Sequence, residues 1–90
     1  MDIAKLIVFS GNVQGIGFRY TAHRIAGRYN LTGYVRNTSD SNVELFLQGH
    51  PKDIEDCIDD IKATFIRYIR DVSIEDAEFN PEYDSFTIRV

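Results

Sequence analysis

The segment Gly11-Asn12-Val13-Gln14-Gly15-Ile16-Gly17-Phe18-Arg19 sets three glycines just ahead of an arginine. Glycine adopts positive φ without strain and lets a backbone approach a ligand closely. Where such a run enters a helix, the free N–H groups of the first turn and the fork of Arg19 make an anion site, most readily for phosphate. An ordinary strand-to-helix turn uses glycines in the same way, so the segment alone leaves both readings open.

What is absent narrows the chemistry. A phosphate loop of the G-x-x-x-x-G-K-[ST] kind does not fit, because Gly11 is followed five positions later by Ile16 and no lysine comes next. A cysteine phosphatase needs an arginine shortly after its nucleophile, whereas Cys57 is followed by Ile58-Asp59-Asp60-Ile61-Lys62-Ala63. His23 and His50 stand apart, and no His, Asp or Glu cluster has the spacing of a metal site. Asp59 and Asp60 read as a solvated helix face, and no cofactor is called for. A phosphate site with no nucleophile, metal or general acid suits a leaving group that needs no help. A carboxylate is one, since its parent acid has a pKa near ~4. Acyl phosphates are substrates of this type, and for them holding the phosphoryl group and one water could suffice. An amide such as Asn37 offers the water both a donor and an acceptor.

The elements that must position these groups follow from periodicity. Ile3 to Ser10 is nearly continuous in apolarity and reads as a central strand. Phe18, Ala22, Ile25, Ala26 and Tyr29 then mark one face of a helix ending near Asn30. Leu31 to Asn37 alternates, Thr38 to Asn42 is a cluster of turn formers, and Val43 to Gln48 completes a hairpin. Pro51 opens a second helix whose buried stripe is Ile54, Cys57, Ile58, Ile61 and Phe65. Cys57 is a member of that stripe and reads as a small core residue. Ile66 to Arg70 fits helix or strand equally; Val72, Ile74 and Phe79 suggest a fourth strand, and Phe86, Ile88 and Val90 a last short one.

This order, βαββαβ plus a short extra strand, predicts an α+β ferredoxin-like α/β sandwich, an antiparallel sheet with two helices on one face. In that plan the Gly-rich loop, Arg19 and Asn37 share one edge of the sheet. A third strand threaded between the first two sets their axes about 10 Å apart, room for a small anion and a water. His50 falls at the opposite edge.

A chain of 90 residues is expected to form one domain, residues 1–90. Its apolar runs are too short for a signal peptide or membrane span, and its single cysteine excludes a disulfide framework, so the cytoplasm is the expected compartment. The net charge of −4 is unevenly spread: residues 1–37 hold five Lys and Arg against Asp2, while residues 38–90 hold five against thirteen Asp and Glu. The positive half carries the Gly-rich loop and would steer a small anion there; the acidic remainder disfavours a nucleic-acid backbone.

Two motifs together, Gly11-x-Val13-Gln14-Gly15-Ile16-Gly17-Phe18-Arg19 and Gly33-Tyr34-Val35-Arg36-Asn37-x-x-Asp40-x-x-Val43-Glu44, resemble the acylphosphatase signature, and the resemblance extends to the Phe86-x-Ile88 ending. It implies a metal-free hydrolase splitting acyl phosphates into carboxylate and inorganic phosphate; the chain is expected to act as a monomer and without cofactor. By the same resemblance, Arg19 and the backbone amides of Val13, Gln14, Gly15, Ile16, Gly17, Phe18 and Arg19 bind phosphate. Asn37 orients the attacking water, and Thr38 is a supporting neighbour. The chain departs from the pattern at Ser41, where glycine is usual, and lacks a proline-containing connection across Phe65 to Asp71. Asn42 tolerates positive φ better than Ser41.

Two other classes compete. The same cradle could serve a non-catalytic acyl- or carbamoyl-phosphate-binding module, since similar domains occur at the front of larger hydrogenase-maturation proteins. RNA binding on this fold plan would need exposed aromatics on the central strands, where strand 3 offers Phe46 beside Glu44.

Overall fold

Strand residues that alternate between two buried faces need cover on both, and the fold supplies it unequally. The structure, a computed structural model, describes residues 1–90. Its elements are β1 (Ile3–Gly11), α1 (Phe18–Gly27), β2 (Thr32–Asn37), β3 (Val43–Gly49), α2 (Pro51–Thr64), β4 (Ile69–Ala77) and β5 (Phe86–Arg89). The sheet order is β4-β1-β3-β2-β5. β3 therefore lies between β1 and β2, as the order of elements predicts.

Ile7 and Phe9 of β1, Val35 of β2 and Val43, Leu45 and Leu47 of β3 point to one face. There they meet Phe18, Ala22, Ile25 and Ala26 of α1 and Ile54, Cys57, Ile58 and Ile61 of α2. The apolar stripes are those of two amphipathic helices packed on one side of a sheet. Phe18 holds the layers together, its ring 5.0 Å from that of Phe9 and 4.4 Å from that of Phe65.

The opposite face carries a smaller cluster around Ala4, Tyr34 and Phe46. Tyr34 and Phe46 are stacked with centroids 5.7 Å apart, and Tyr83 meets both edge-on. The Arg89 guanidinium lies 3.9 Å above the Tyr34 ring, a cation–π contact. Gln48 is almost wholly buried and grips Asn80 twice, donating from Nε2 to its carbonyl at 2.7 Å and accepting its N–H at 2.9 Å. That pair pins the segment that leads from β4 across this face to β5.

The strands of the βαββαβ unit pair antiparallel throughout, and the extra strand adds one parallel pair, β5 with β2, so the sheet is mixed. Boundaries differ from periodicity at three places. α1 ends at Gly27, because the N–H groups of Arg28 and Tyr29 bond back only three residues, to Ile25 and Ala26. The ambiguous stretch after Phe65 turns through bonds from Tyr68 and Ile69 to the Phe65 carbonyl and becomes β4 at Ile69. β4 stops at Ala77, leaving Phe79 in the pinned segment. No helix is long and apolar enough to cross a membrane.

Candidate active site

The loop between β1 and α1 is held from both ends. Gly11 forms a bulge against Ile69, and the Asn12 N–H donates to the Tyr68 carbonyl at 2.9 Å. Val13 then sinks fully into the core. Gly15 and Gly17 take φ values of +79° and +77°, which turn the backbone outward between the buried side chains of Val13 and Phe18. Gly17 caps α1 with no side-chain cap, and no acidic residue stands in the first turn. The positive end of the helix dipole is thus left for an external anion.

Arg19 leaves the first turn of α1 half-buried, with Nη1 donating to the main-chain carbonyl of Arg89 at 3.0 Å. This contact spans from α1 to the extra strand and restrains a side chain that otherwise has many rotamers. Asn37 ends β2 on the same side of the sheet. Gly15, Gly17, Arg19 and Asn37 all line one cleft of about 390 Å³, together with Val13, Phe18, Tyr20, Ile88 and Val90. Two residues distant in sequence, Arg19 and Asn37, therefore face one small volume.

Among the residues singled out from the sequence, Val13, Gly15, Gly17, Phe18, Arg19 and Asn37 come together on the wall of the cleft, and Gln14, Ile16 and Thr38 do not. The side chains of Val13 and Phe18 are committed to the core, so these two residues offer only main chain. Ile16 packs against the same core from its edge. The Gln14 side chain points to the hairpin, donating from Nε2 to the carbonyls of Thr38 at 2.9 Å and Asn42 at 2.8 Å. The Thr38 hydroxyl is bound to the Asp40 carboxylate and meets the Asn42 main chain at 3.2 Å. The Thr38 hydrogen bond holds the Asp40 carboxyl below its usual pKa.

Positive φ falls on Ser41, at +71°, and not on Asn42. Asn42 has its N–H and carbonyl both engaged by Thr38, which leaves Ser41 to absorb the reversal.

Tyr20, Ile88 and Val90 are cleft residues that were not among the site residues read from the sequence. Tyr20 is 69% exposed directly after Arg19, a large aromatic out of helical register with the buried stripe, and that was a usable signal. Ile88 and Val90 enter only because β5 pairs with β2.

Other reactive groups lie elsewhere. Cys57 is buried, and desolvation pushes its thiol up to about 12. His50 is the cap of α2, its Nδ1 accepting the Lys52 N–H. His23 is exposed, 5.9 Å from the Phe86 ring. Glu55, Asp56 and Asp59 gather on α2, where Lys52 pairs with the first two. On the open sheet face Glu44 receives Arg36 Nε at 2.8 Å and the Tyr34 hydroxyl at 2.6 Å. The Arg36 hydrogen bond lowers the Glu44 pKa, while burial and the same carboxylate push Tyr34 up to about 12.

Comparison with known proteins identifies the family and the fold. The family model described as Acylphosphatase matches residues 5–88. An acylphosphatase of Geobacillus thermodenitrificans is 35% identical over 83 residues, 91% of this chain and 88% of the relative. The crystal structure of acylphosphatase from Bacillus subtilis superposes with a TM-score of 0.87 at 25% identity, covering 100% of both chains. A full-length HypF, solved in its phosphate- and nucleotide-bound form, matches 100% of this chain with 12% of its own length, at 33% identity and a TM-score of 0.85.

Proposed function

The chain belongs to the acylphosphatase family, and on that premise we propose how its residues divide the hydrolysis of an acyl phosphate. The activity is cleavage of a carboxyl–phosphate anhydride by water, giving a carboxylate and inorganic phosphate. The phosphoryl group sits at the N-terminus of α1, held by main-chain N–H groups of residues 13–19 and by the Arg19 guanidinium. Negative charge on the phosphoryl oxygens is balanced there throughout the transfer.

Asn37 holds the attacking water across the cleft from Arg19, its carbonyl oxygen accepting a water proton. The water oxygen bonds to phosphorus as the bond from phosphorus to the carboxyl oxygen breaks. The electron pair leaves on the carboxylate, and the proton of the attacking water passes to the phosphate product or to solvent. Because the departing carboxylate is a weak base, no acid has to protonate it. No step of this scheme calls for a metal or an organic cofactor. Tyr20 and Ile88 provide an apolar rim against which the acyl group can rest. Thr38 supports Asn37 through the turn that follows it.

The observation that carries this reading is the shared cleft of Arg19 and Asn37, with Arg19 tethered to the Arg89 carbonyl. A site built within one chain, and a lone buried cysteine, support a monomeric cytoplasmic enzyme with residues 1–90 as one acylphosphatase-like domain. The test is turnover of benzoyl phosphate without added metal by wild type, Arg19→Gln and Asn37→Ala. Turnover by wild type and its loss in both variants is expected; folded wild-type protein without turnover refutes the reading.

The match to a segment of HypF favours one second reading, a module that binds acyl or carbamoyl phosphate without efficient turnover. Calorimetry with a phosphate ester, run beside the same assay, separates the two: tight binding with negligible turnover selects the module. The RNA reading loses its platform, because Phe46 is stacked against Tyr34 and meets Tyr83 edge-on, and Arg89 lies over Tyr34.

A further inference from the structure

We propose that Gln14 is a positioning residue that locks the two halves of the site to each other, acting on Asn37 through the hairpin turn. The proposal rests on the reading of Asn37 as the residue that orients water. The cradle belongs to the β1–α1 loop and Asn37 to the end of β2, and these are separate elements with β3 threaded between β1 and β2. Gln14 crosses between them. Its half-buried Nε2 faces two main-chain carbonyls, Thr38 at 2.9 Å and Asn42 at 2.8 Å. Two acceptors facing one nitrogen use both protons of a side-chain amide; asparagine is the one other neutral side chain with two donors on one atom, and it is one methylene shorter.

The place of the contact matters. Thr38 follows Asn37 directly, and Thr38 and Asn42 are the two ends of the turn, joined by the Thr38 N–H to the Asn42 carbonyl at 2.9 Å. One amide therefore holds the closing pair of the turn at a set distance from the phosphate cradle. The turn contains Ser41 at φ +71°, a conformation a serine adopts only at a cost. An outside restraint on Thr38 and Asn42 keeps that turn, and with it Asn37, from relaxing. Its Gln14 end lies within the cradle itself, between Val13 and Gly15, so the water and the phosphoryl group share one frame. A misplacement of about 1 Å can cost a reaction about a hundredfold in rate.

The experiment compares wild type, Gln14→Met, Asn37→Ala and the double variant in benzoyl phosphate hydrolysis, with inorganic phosphate as competitive inhibitor. Gln14→Met keeps the length of the side chain and removes both donors. The expected result is a kcat reduced about tenfold, with the phosphate inhibition constant changed less than about twofold. In the Asn37→Ala background the same substitution is expected to have little further effect, because the two residues act as one unit. An unchanged kcat, an equal loss of phosphate affinity, or full additivity with Asn37→Ala overturns the proposal. Full activity of Asn37→Ala would refute the water-orienting reading and this inference with it, whereas an inactive Asn37→Ala beside a fully active Gln14→Met refutes the inference alone. The wild-type protein gives a reading that needs no substitution to fold: the Gln14 side-chain amide protons should exchange at least about tenfold more slowly than those of exposed Asn12. Equal exchange overturns the proposal.

Discussion

Arg19 and Arg89 are joined by a hydrogen bond from a guanidinium nitrogen of one to the main-chain carbonyl of the other, at 3.0 Å. A charged side chain in α1 is thereby aimed by the backbone of β5, while the remaining donors of its fork are left for a ligand. The side chain of Arg89 is held from the other face of the sheet, over Tyr34 and with its Nη2 donating to the Tyr83 hydroxyl at 2.9 Å.

The first prediction concerns this fork. Arg19→Lys keeps the charge but cannot contact the Arg89 carbonyl and grip two phosphate oxygens in one plane. It is expected to lower kcat/KM for benzoyl phosphate by about a hundredfold, near the loss typical of one transition-state donor. Steady-state kinetics, with circular dichroism to confirm folding, provides the check; near-wild-type kcat/KM would show that charge alone suffices.

Asn37→Asp exchanges an amide for a carboxylate of the same shape. The group loses its donor and places a negative charge beside an anionic substrate. Both kcat and phosphate affinity should fall, whereas Asn37→Ala should lower kcat by about a hundredfold and leave phosphate inhibition nearly unaltered. Inhibition constants for inorganic phosphate separate the two variants.

Ser41→Gly should stabilise the protein. Removing a serine Cβ from φ +71° relieves about 1–2 kcal/mol of backbone strain, partly offset by the greater freedom of glycine in the unfolded chain. A net gain of about 0.5–1 kcal/mol would raise Tm by a few degrees, roughly 2–8 °C for a domain of this size. A lower Tm by calorimetry would contradict it.

Stability should carry an acid limb owing to Glu44. Its folded pKa is depressed, first by the Arg36 hydrogen bond, with the Tyr34 hydroxyl also contributing. The stabilisation is therefore complete above the unfolded value, near ~4.3, and is lost as pH falls through the lower folded value. Asp40, depressed by Thr38, acts in the same direction. Urea midpoints for wild type and Glu44→Gln should differ at about pH 7 and converge towards about pH 3. A constant difference across that range would be the contrary result.

Cys57 should resist thiol reagents in the native state. It is fully buried on α2 with its thiol pushed up to about 12, so almost no thiolate is present at neutral pH. Its modification should track global unfolding and appear only in denaturant. Rapid labelling of folded protein, or inactivation by it, would speak against the assignment.

Much of the site was legible because local chemistry and local period coincide. The glycines ahead of Arg19 lie where an apolar strand gives way to a helical stripe, and Asn37 lies where an alternating strand meets turn formers. The order of elements then implied that both share one edge. Tyr20 could have been picked out as an exposed aromatic beside Arg19. Ile88 could not, because a short alternating strand does not reveal its partner or its direction. β5 pairs parallel with β2 after a crossing of the far face that Gln48 fastens at Asn80, a contact with no local pattern.

By itself, then, the sequence determined most of the elements, their buried faces and the residue types that a phosphate and a water would use. Side-chain period reports which face a residue takes, and that is a property of neighbours a few positions away. Only the tertiary structure decided that the Arg89 carbonyl aims Arg19, that Gln14 faces the hairpin and not the cleft, and that Ser41 carries the reversal of the turn. Each depends on hydrogen-bond partners brought together from distant segments once the core has closed, and no spacing along the chain encodes them.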